Sequence, residues 1–314
     1  MKGQIMKIFV NDHIHEAGFE KMKKMGVEVI SDFNRVDECD GMIVRGVVAS
    51  RELLTKAKNL KVVGKHGAGY NTIDTAACKE LGIRVVYTPG MNAQGVAELI
   101  VTLMLDVSRK VSYIDRCIVD GTYDDTRKSE LAGWEIGGKT VAFVGFGNVS
   151  RKAAKILRCG FDMKVLAYDE YLPDEVFAEN GAVKYASLEE MLPQADYVSI
   201  CVPLTEETRN MFNAEMLSKI KPTAILINTA RGGIVDEEAL YNALTSGTIA
   251  GAGLDVFEEE PVSNKNRLVS LPNFVATPHI GGSTEESIFR VTDTVIDEVV
   301  AVLEGREPRF EVKL

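Results

Sequence analysis

Three residues in the last third of the chain, Arg231, Glu260 and His279, are of the types needed to move a proton on and off a carbinol oxygen. An imidazole ionises close to neutral pH, so it can take the hydroxyl proton of a secondary alcohol as hydride leaves carbon. A carboxylate beside it fixes the tautomer and stabilises the imidazolium that forms. A guanidinium presents a planar fork that holds a carboxylate or polarises a carbonyl oxygen. Taken singly, each has a duller explanation. Arg231 suits a surface ion pair, Glu260 belongs to an acidic run, and His279 stands in a turn beside two glycines. What joins them is placement. Each follows a predicted strand, over 224–228, 251–256 and 274–276, and open α/β sheets bind ligands beyond the carboxyl ends of their strands.

A second constellation lies upstream. A strand over 141–144 runs into the sequence GFGNVS (145–150) and then a helix, and Asp169 ends the next strand. This is the dinucleotide fingerprint in its required setting. Gly145 permits the tight turn, Gly147 lets the backbone approach a pyrophosphate, and the amides around Asn148 and Val149 meet its charge at the helix N-terminus. Asp169 accepts from both ribose hydroxyls and repels a 2′-phosphate, which favours NAD over NADP. Ser150 stands where a third glycine is usual and is small enough to keep the helix close to the strand.

The elements that must position these groups alternate almost from end to end as short apolar runs and helix-period segments, the pattern of parallel sheets wrapped by helices. Strands are predicted over 7–10, 27–30, 41–44, 61–63 and 84–87, then over 140–144, 164–168, 197–200, 224–228, 251–256 and 274–276. Pro89 and Gly90 break the first series. Beyond them one apolar stripe from Val96 to Ile118 predicts a single long helix. A last helix over 284–303 is expected to return to the first domain. The domains expected are therefore 1–94 with 283–314, and 95–282, with crossings that form a hinge.

Composition narrows the partners. The net charge of −10 comes from 46 acids against 36 bases, with no Lys/Arg-rich block to neutralise a run of phosphates, so nucleic acid is not an expected partner. No apolar run approaches the roughly 20 residues of a membrane span. The first apolar run, 8–10, is too short for a secretory signal, and a cytoplasmic location is expected. Five scattered cysteines, without a Cys-x-x-Cys pair, read as reduced thiols. His13 and His15 have no metal-site spacing, and no metal is expected.

The sequences GFG (145–147), NTARGGIVD (228–236), LDVFEEEP (254–261) and TPHIGG (277–282) resemble the signatures of the D-isomer-specific 2-hydroxyacid dehydrogenases, and the resemblance covers essentially the whole chain. It implies a Rossmann NAD-binding domain inserted in a flavodoxin-like substrate domain, an Arg231, Glu260 and His279 triad, a small 2-hydroxy or 2-keto acid substrate, and a homodimer. It also implies that the amides of Ala68 and Gly69, in the loop GKHGAG (64–69), take the substrate carboxylate, with His66 incidental. Thr208, Ala230 and Asp255 match cofactor positions, Asp255 holding the nicotinamide carboxamide. The general look is nearest to the D-3-phosphoglycerate dehydrogenases of the short form, in which Arg45 and Lys65 match basic positions for a phosphate. Asp125, however, stands where those enzymes supply an arginine. Glyoxylate or hydroxypyruvate reduction is the alternative within the family. A non-catalytic NAD-sensing scaffold of the corepressor kind is the alternative outside it, and formate dehydrogenases differ by a glutamine in place of Glu260.

Overall fold

The computed structural model describes residues 5–127 and 131–314, and the chain divides into two compact units, Met1–Ala93 with Gly282–Leu314, and Gln94–Gly281. In the first unit β1 (Lys7–Val10), α1 (Glu16–Lys24), β2 (Glu28–Ile30), β3 (Gly41–Val44), α2 (Arg51–Lys56), β4 (Val62–Lys65), α3 (Thr75–Leu81) and β5 (Arg84–Val86) follow one another. Their strands form a parallel sheet in the order β2-β1-β3-β4-β5, the flavodoxin-like order. Polar side chains start the helices where the sequence places them. Ser50 accepts from the Leu53 amide and Asp74 from the Ala77 amide, caps that each contribute about 1 kcal/mol.

The second unit contains α4 (Ala93–Arg109), α5 (Val111–Val119), β6 (Thr140–Val144), α6 (Asn148–Phe161), β7 (Lys164–Tyr168), α7 (Asp174–Glu179), β8 (Ala182–Lys184), α8 (Leu188–Met191), β9 (Tyr197–Ile200), α9 (Ala214–Ser218), β10 (Ile225–Asn228), α10 (Glu237–Ser246), β11 (Gly251–Leu254) and β12 (Phe274–Ala276). Seven parallel strands lie in the order β12-β11-β10-β9-β6-β7-β8. This is the doubly wound Rossmann arrangement extended by one strand, with its topological switch between β6 and β9. The central strands are buried on both faces, which is why they read as continuous apolar runs rather than alternating ones.

The chain then returns to the first unit as α11 (Glu285–Leu303), capped by the Thr284 hydroxyl. Val295, Ile296, Val299 and Val300 of α11 join Ile8, Ile43 and Val62 in one buried cluster. Each such side chain contributes roughly 1.5–3 kcal/mol of burial before entropy is subtracted. That is the force that makes this unit discontinuous in sequence.

The single long helix expected from Val96 to Ile118 is two helices. Lys110 adopts the left-handed conformation at φ 55°, and Asp106 accepts from the Ser112 amide at 2.8 Å to restart the chain. Val96, Ile100, Leu103 and Val107 are buried, whereas α5 buries nothing and leaves Val111, Ile118 and Val119 exposed. No described helix is long and apolar enough to cross a membrane. All five cysteines are free, and among the described residues no group of three His, Cys, Asp or Glu is placed to hold a metal.

Candidate active site

Strand register decides which loops share an edge of the second unit's sheet. Tyr168 pairs with Val144, Val144 with Ile200, Ile200 with Asn228, Asn228 with Leu254, and Leu254 with Ala276. Six strands therefore end in one row, and the loops carrying Asp169, Gly145, Arg231, Glu260 and His279 all leave from that row.

The three expected catalytic residues come together there. His279 Nδ1 lies 2.8 Å from Glu260 Oε2, while Glu260 Oε1 accepts from the Phe257 amide at 3.1 Å. With the carboxylate facing Nδ1, that nitrogen carries the proton, and Nε2 is left to exchange one with a substrate. Gly232 explains how the arginine loop reaches the glutamate loop. A Cβ at this position would stand 1.8 Å from the Phe257 carbonyl oxygen, so only glycine allows the approach. Arg231 is half-buried. Burial lowers its pKa and the nearby Glu260 carboxylate pulls it back up, and the guanidinium remains a cation at neutral pH. Glu260 and His279, with Phe257, Pro261, Val262 and Pro278, line a concavity of about 240 Å³. A base with a free nitrogen, a carboxylate behind it and a cation nearby can transfer a proton at an oxygen and stabilise negative charge on it.

The loop itself is held by residues that sequence reasoning assigned elsewhere or overlooked. Asp255, expected to hold the nicotinamide carboxamide, also holds the loop. It is 1% exposed, and its carboxylate accepts from the Thr277 hydroxyl at 2.6 Å, the Ile280 amide at 2.8 Å and the Gly281 amide at 2.9 Å. Its carbonyl accepts from the His279 amide at 2.7 Å. These bonds hold His279 at φ 56°, a conformation that costs a non-glycine residue about 1 kcal/mol or more. Asn228 does similar work for Arg231, its Oδ1 accepting from the Ala230 amide and its Nδ2 donating to the Arg231 carbonyl, both at 3.0 Å. An asparagine at a strand end was the signal available for that turn. Thr208 spends its hydroxyl on the Pro203 carbonyl at 2.6 Å and on the Thr205 amide at 2.8 Å, shaping its own loop. The Ala230 carbonyl accepts from Arg231 Nη1 at 2.6 Å.

The fingerprint residues fit a dinucleotide. Gly145 has φ 90°, and a Cβ there would meet the Cys201 carbonyl oxygen at 2.8 Å. Gly147 caps α6 without a side chain and no acid stands in the first turn, which leaves the amides of Asn148 and Val149 suited to an anion from outside the chain. Asp169 is oriented by the amides of Phe146 at 2.9 Å and Tyr171 at 3.0 Å. Ser150 is fully buried and donates to the Gly145 carbonyl at 2.6 Å.

The first unit carries the remaining sequence candidates, described by itself. The register Val10–Ile43–Gly64–Val86 aligns its strand ends as well. The amides of Ala68 and Gly69 have no acceptor among the described residues. Arg45 donates to Ser283 Oγ at 3.0 Å and to the His13 carbonyl at 3.4 Å, and Asp12 accepts from the amides of Arg45, Gly46 and Val47. Lys65, expected at a phosphate position, is engaged within the first unit. It is 6% exposed, and its ammonium donates to the Arg45 carbonyl at 2.6 Å and to Thr72 Oγ1 at 2.7 Å, stapling two loops. His66 has a structural tie, its buried Nε2 lying 2.9 Å from Thr292 Oγ1 on α11.

Comparison with known proteins identifies the family. Residues 101–281 match the family described as D-isomer specific 2-hydroxyacid dehydrogenase, NAD binding domain. A hydroxypyruvate reductase of Thermotoga maritima is 38% identical, the alignment covering 93% of this chain and 97% of that protein. A D-3-phosphoglycerate dehydrogenase of Methanocaldococcus jannaschii is 36% identical over 96% of this chain, which spans only 58% of that relative's length. The crystal structure of a glyoxylate reductase from Paecilomyes thermophila superposes with a TM-score of 0.85 at 28% identity, covering 99% of each chain. With a nucleotide fingerprint and an Arg, Glu and His on one strand-end row, and with these likenesses along its length, the chain belongs to the family of NAD-dependent D-isomer-specific 2-hydroxyacid dehydrogenases.

Proposed function

We propose that the protein interconverts a small, unphosphorylated 2-keto acid, such as hydroxypyruvate or glyoxylate, with its D-2-hydroxy acid. The observation that carries the choice is the buried Lys65 ammonium, already bonded to the Arg45 carbonyl and Thr72. A phosphate dianion calls for more than one cation, and of the two basic positions matched for it only Arg45 is left among the described residues. The relatives named hydroxypyruvate reductase and glyoxylate reductase support the same reading.

The residues then take these tasks. The amides of Ala68 and Gly69 receive the substrate carboxylate, as unpaired amides in a glycine-rich turn suit an anion. In the reducing direction, His279 Nε2 gives its proton to the C2 oxygen, and Glu260 steadies the imidazolium beforehand. Arg231 stabilises negative charge on that oxygen. NAD, held by Gly145, Gly147, Asn148, Val149, Asp169 and the Ala230 loop, supplies or accepts the hydride when bound. The first unit thus serves the substrate and the second the cofactor. We read the assembly as a cytoplasmic homodimer, and the exposed apolar face of α5 is the surface offered to a second copy.

The test is a panel of keto acids read by NADH absorbance. Hydroxypyruvate or glyoxylate should exceed phosphohydroxypyruvate in kcat/KM by about tenfold or more. A preference for the phosphorylated acid would overturn the choice.

A further inference from the structure

We infer that Arg151, in the second turn of α6, is a cofactor-binding residue that sets a side-chain cation against the dinucleotide's diphosphate. Helical side chains lean toward the N-terminus, and this one folds back one turn. Arg151 Nε donates to the Gly147 carbonyl at 3.2 Å and Nη2 to Asn148 Oδ1 at 2.9 Å, which lays the guanidinium beside the uncapped start of the helix. Two donors are used, and three remain. Arg151 has no ion pair among the described residues.

That position is electrostatically costly without a ligand. The N-terminus of a helix carries partial positive charge and favours acids, not cations. Other helices of this protein comply, α10 opening with Glu237 and Glu238 and α11 with Glu285 and Glu286. At α6 the first turn has no acid, the nearby Asp169 carboxylate is bonded to the Phe146 amide, and the side chain folded back over the turn is the Arg151 guanidinium. The two like charges are relieved together by a polyanion, and a diphosphate meets both the amides and the planar guanidinium. Asn148 is the perch that aims Arg151, a role beyond the backbone amide assigned to it above. The inference rests on NAD binding by the family, and wild-type affinity for NADH tests that reading separately.

The experiment is equilibrium binding of NADH by fluorescence, with displacement by ADP-ribose and by adenosine. R151Q should weaken NADH and ADP-ribose about tenfold, leave adenosine within twofold, and make NADH affinity fall less steeply as salt is raised. R151K should recover part of the loss in affinity for NADH and ADP-ribose. Unchanged NADH affinity in R151Q would overturn the inference. So would an equal weakening for adenosine, which would mean that the substitution had disturbed the turn as a whole and not the diphosphate alone.

Discussion

Two histidines stand on loops that follow parallel strands, and their surroundings are opposite. His66, after β4, is 6% exposed, bonded to Thr292, and neighboured by the cations Arg45 and Lys65. Burial, reinforced by those cations, pushes its pKa down to about 4 against a weaker opposing pull from Asp12, so it is neutral at physiological pH. His279, after β12, has a side chain 47% exposed, and a carboxylate rather than a cation meets its Nδ1. The same ring is a peg in one loop and, on the function proposed, a proton carrier in the other. What separates them is access for a reacting oxygen and the sign of the nearest charge, neither of which is a property of histidine itself.

The contrast is broken most directly at His279. His279→Ala should lower kcat by about 10² or more, the usual reach of a positioned acid–base group, and steady-state assays that show an unchanged rate would remove it from the chemistry. A smaller effect is expected one step behind it. In Asp255→Asn an amide NH₂ replaces one acceptor facing the Thr277 hydroxyl and the amides of Ile280 and Gly281. The loop loses its template, and kcat should fall about tenfold with a lesser change in KM. If kcat stayed at the wild-type value, the loop would be holding His279 by other means.

The mildest effect on turnover belongs to His66, whose signature is in stability. The unfolded chain takes a proton near pH 6.5, the folded one only near pH 4. Falling pH across that interval therefore favours unfolding, with a loss of at most roughly 3 kcal/mol. Urea unfolding of His66→Gln should lack this acid-side decline while kcat changes less than fivefold. A variant that declines as steeply as the parent would assign the acid sensitivity to other groups.

Much of this was readable beforehand, for local reasons. The turn at Gly145, the glycine approach at Gly147 and the acid at Asp169 are imposed by neighbouring residues in sequence, and an apolar run ending in such a turn has few other folds available. β8 and α7 escaped because Ala182–Lys184 is a half-exposed edge strand without an apolar pattern. The break at Lys110 escaped because periodicity reports a stripe, not the single left-handed residue that interrupts it. Arg231, Glu260 and His279 were singled out by their position after strands, while Asn228 and Thr277, which hold their loops, carry no chemistry that would draw notice.

The succession of strands and helices, the turn chemistry and the candidate reactive side chains are written in the chain, since each depends on residues close together along it. Lys65 and Asp255 show what is not. Both are charged residues near strand ends, where the pattern favours ligand contact, and both are buried and spent on loops that reach them from elsewhere. Whether a charge faces a ligand or is consumed inside depends on which loops the sheet register brings alongside, and register is set by pairings between residues remote in sequence.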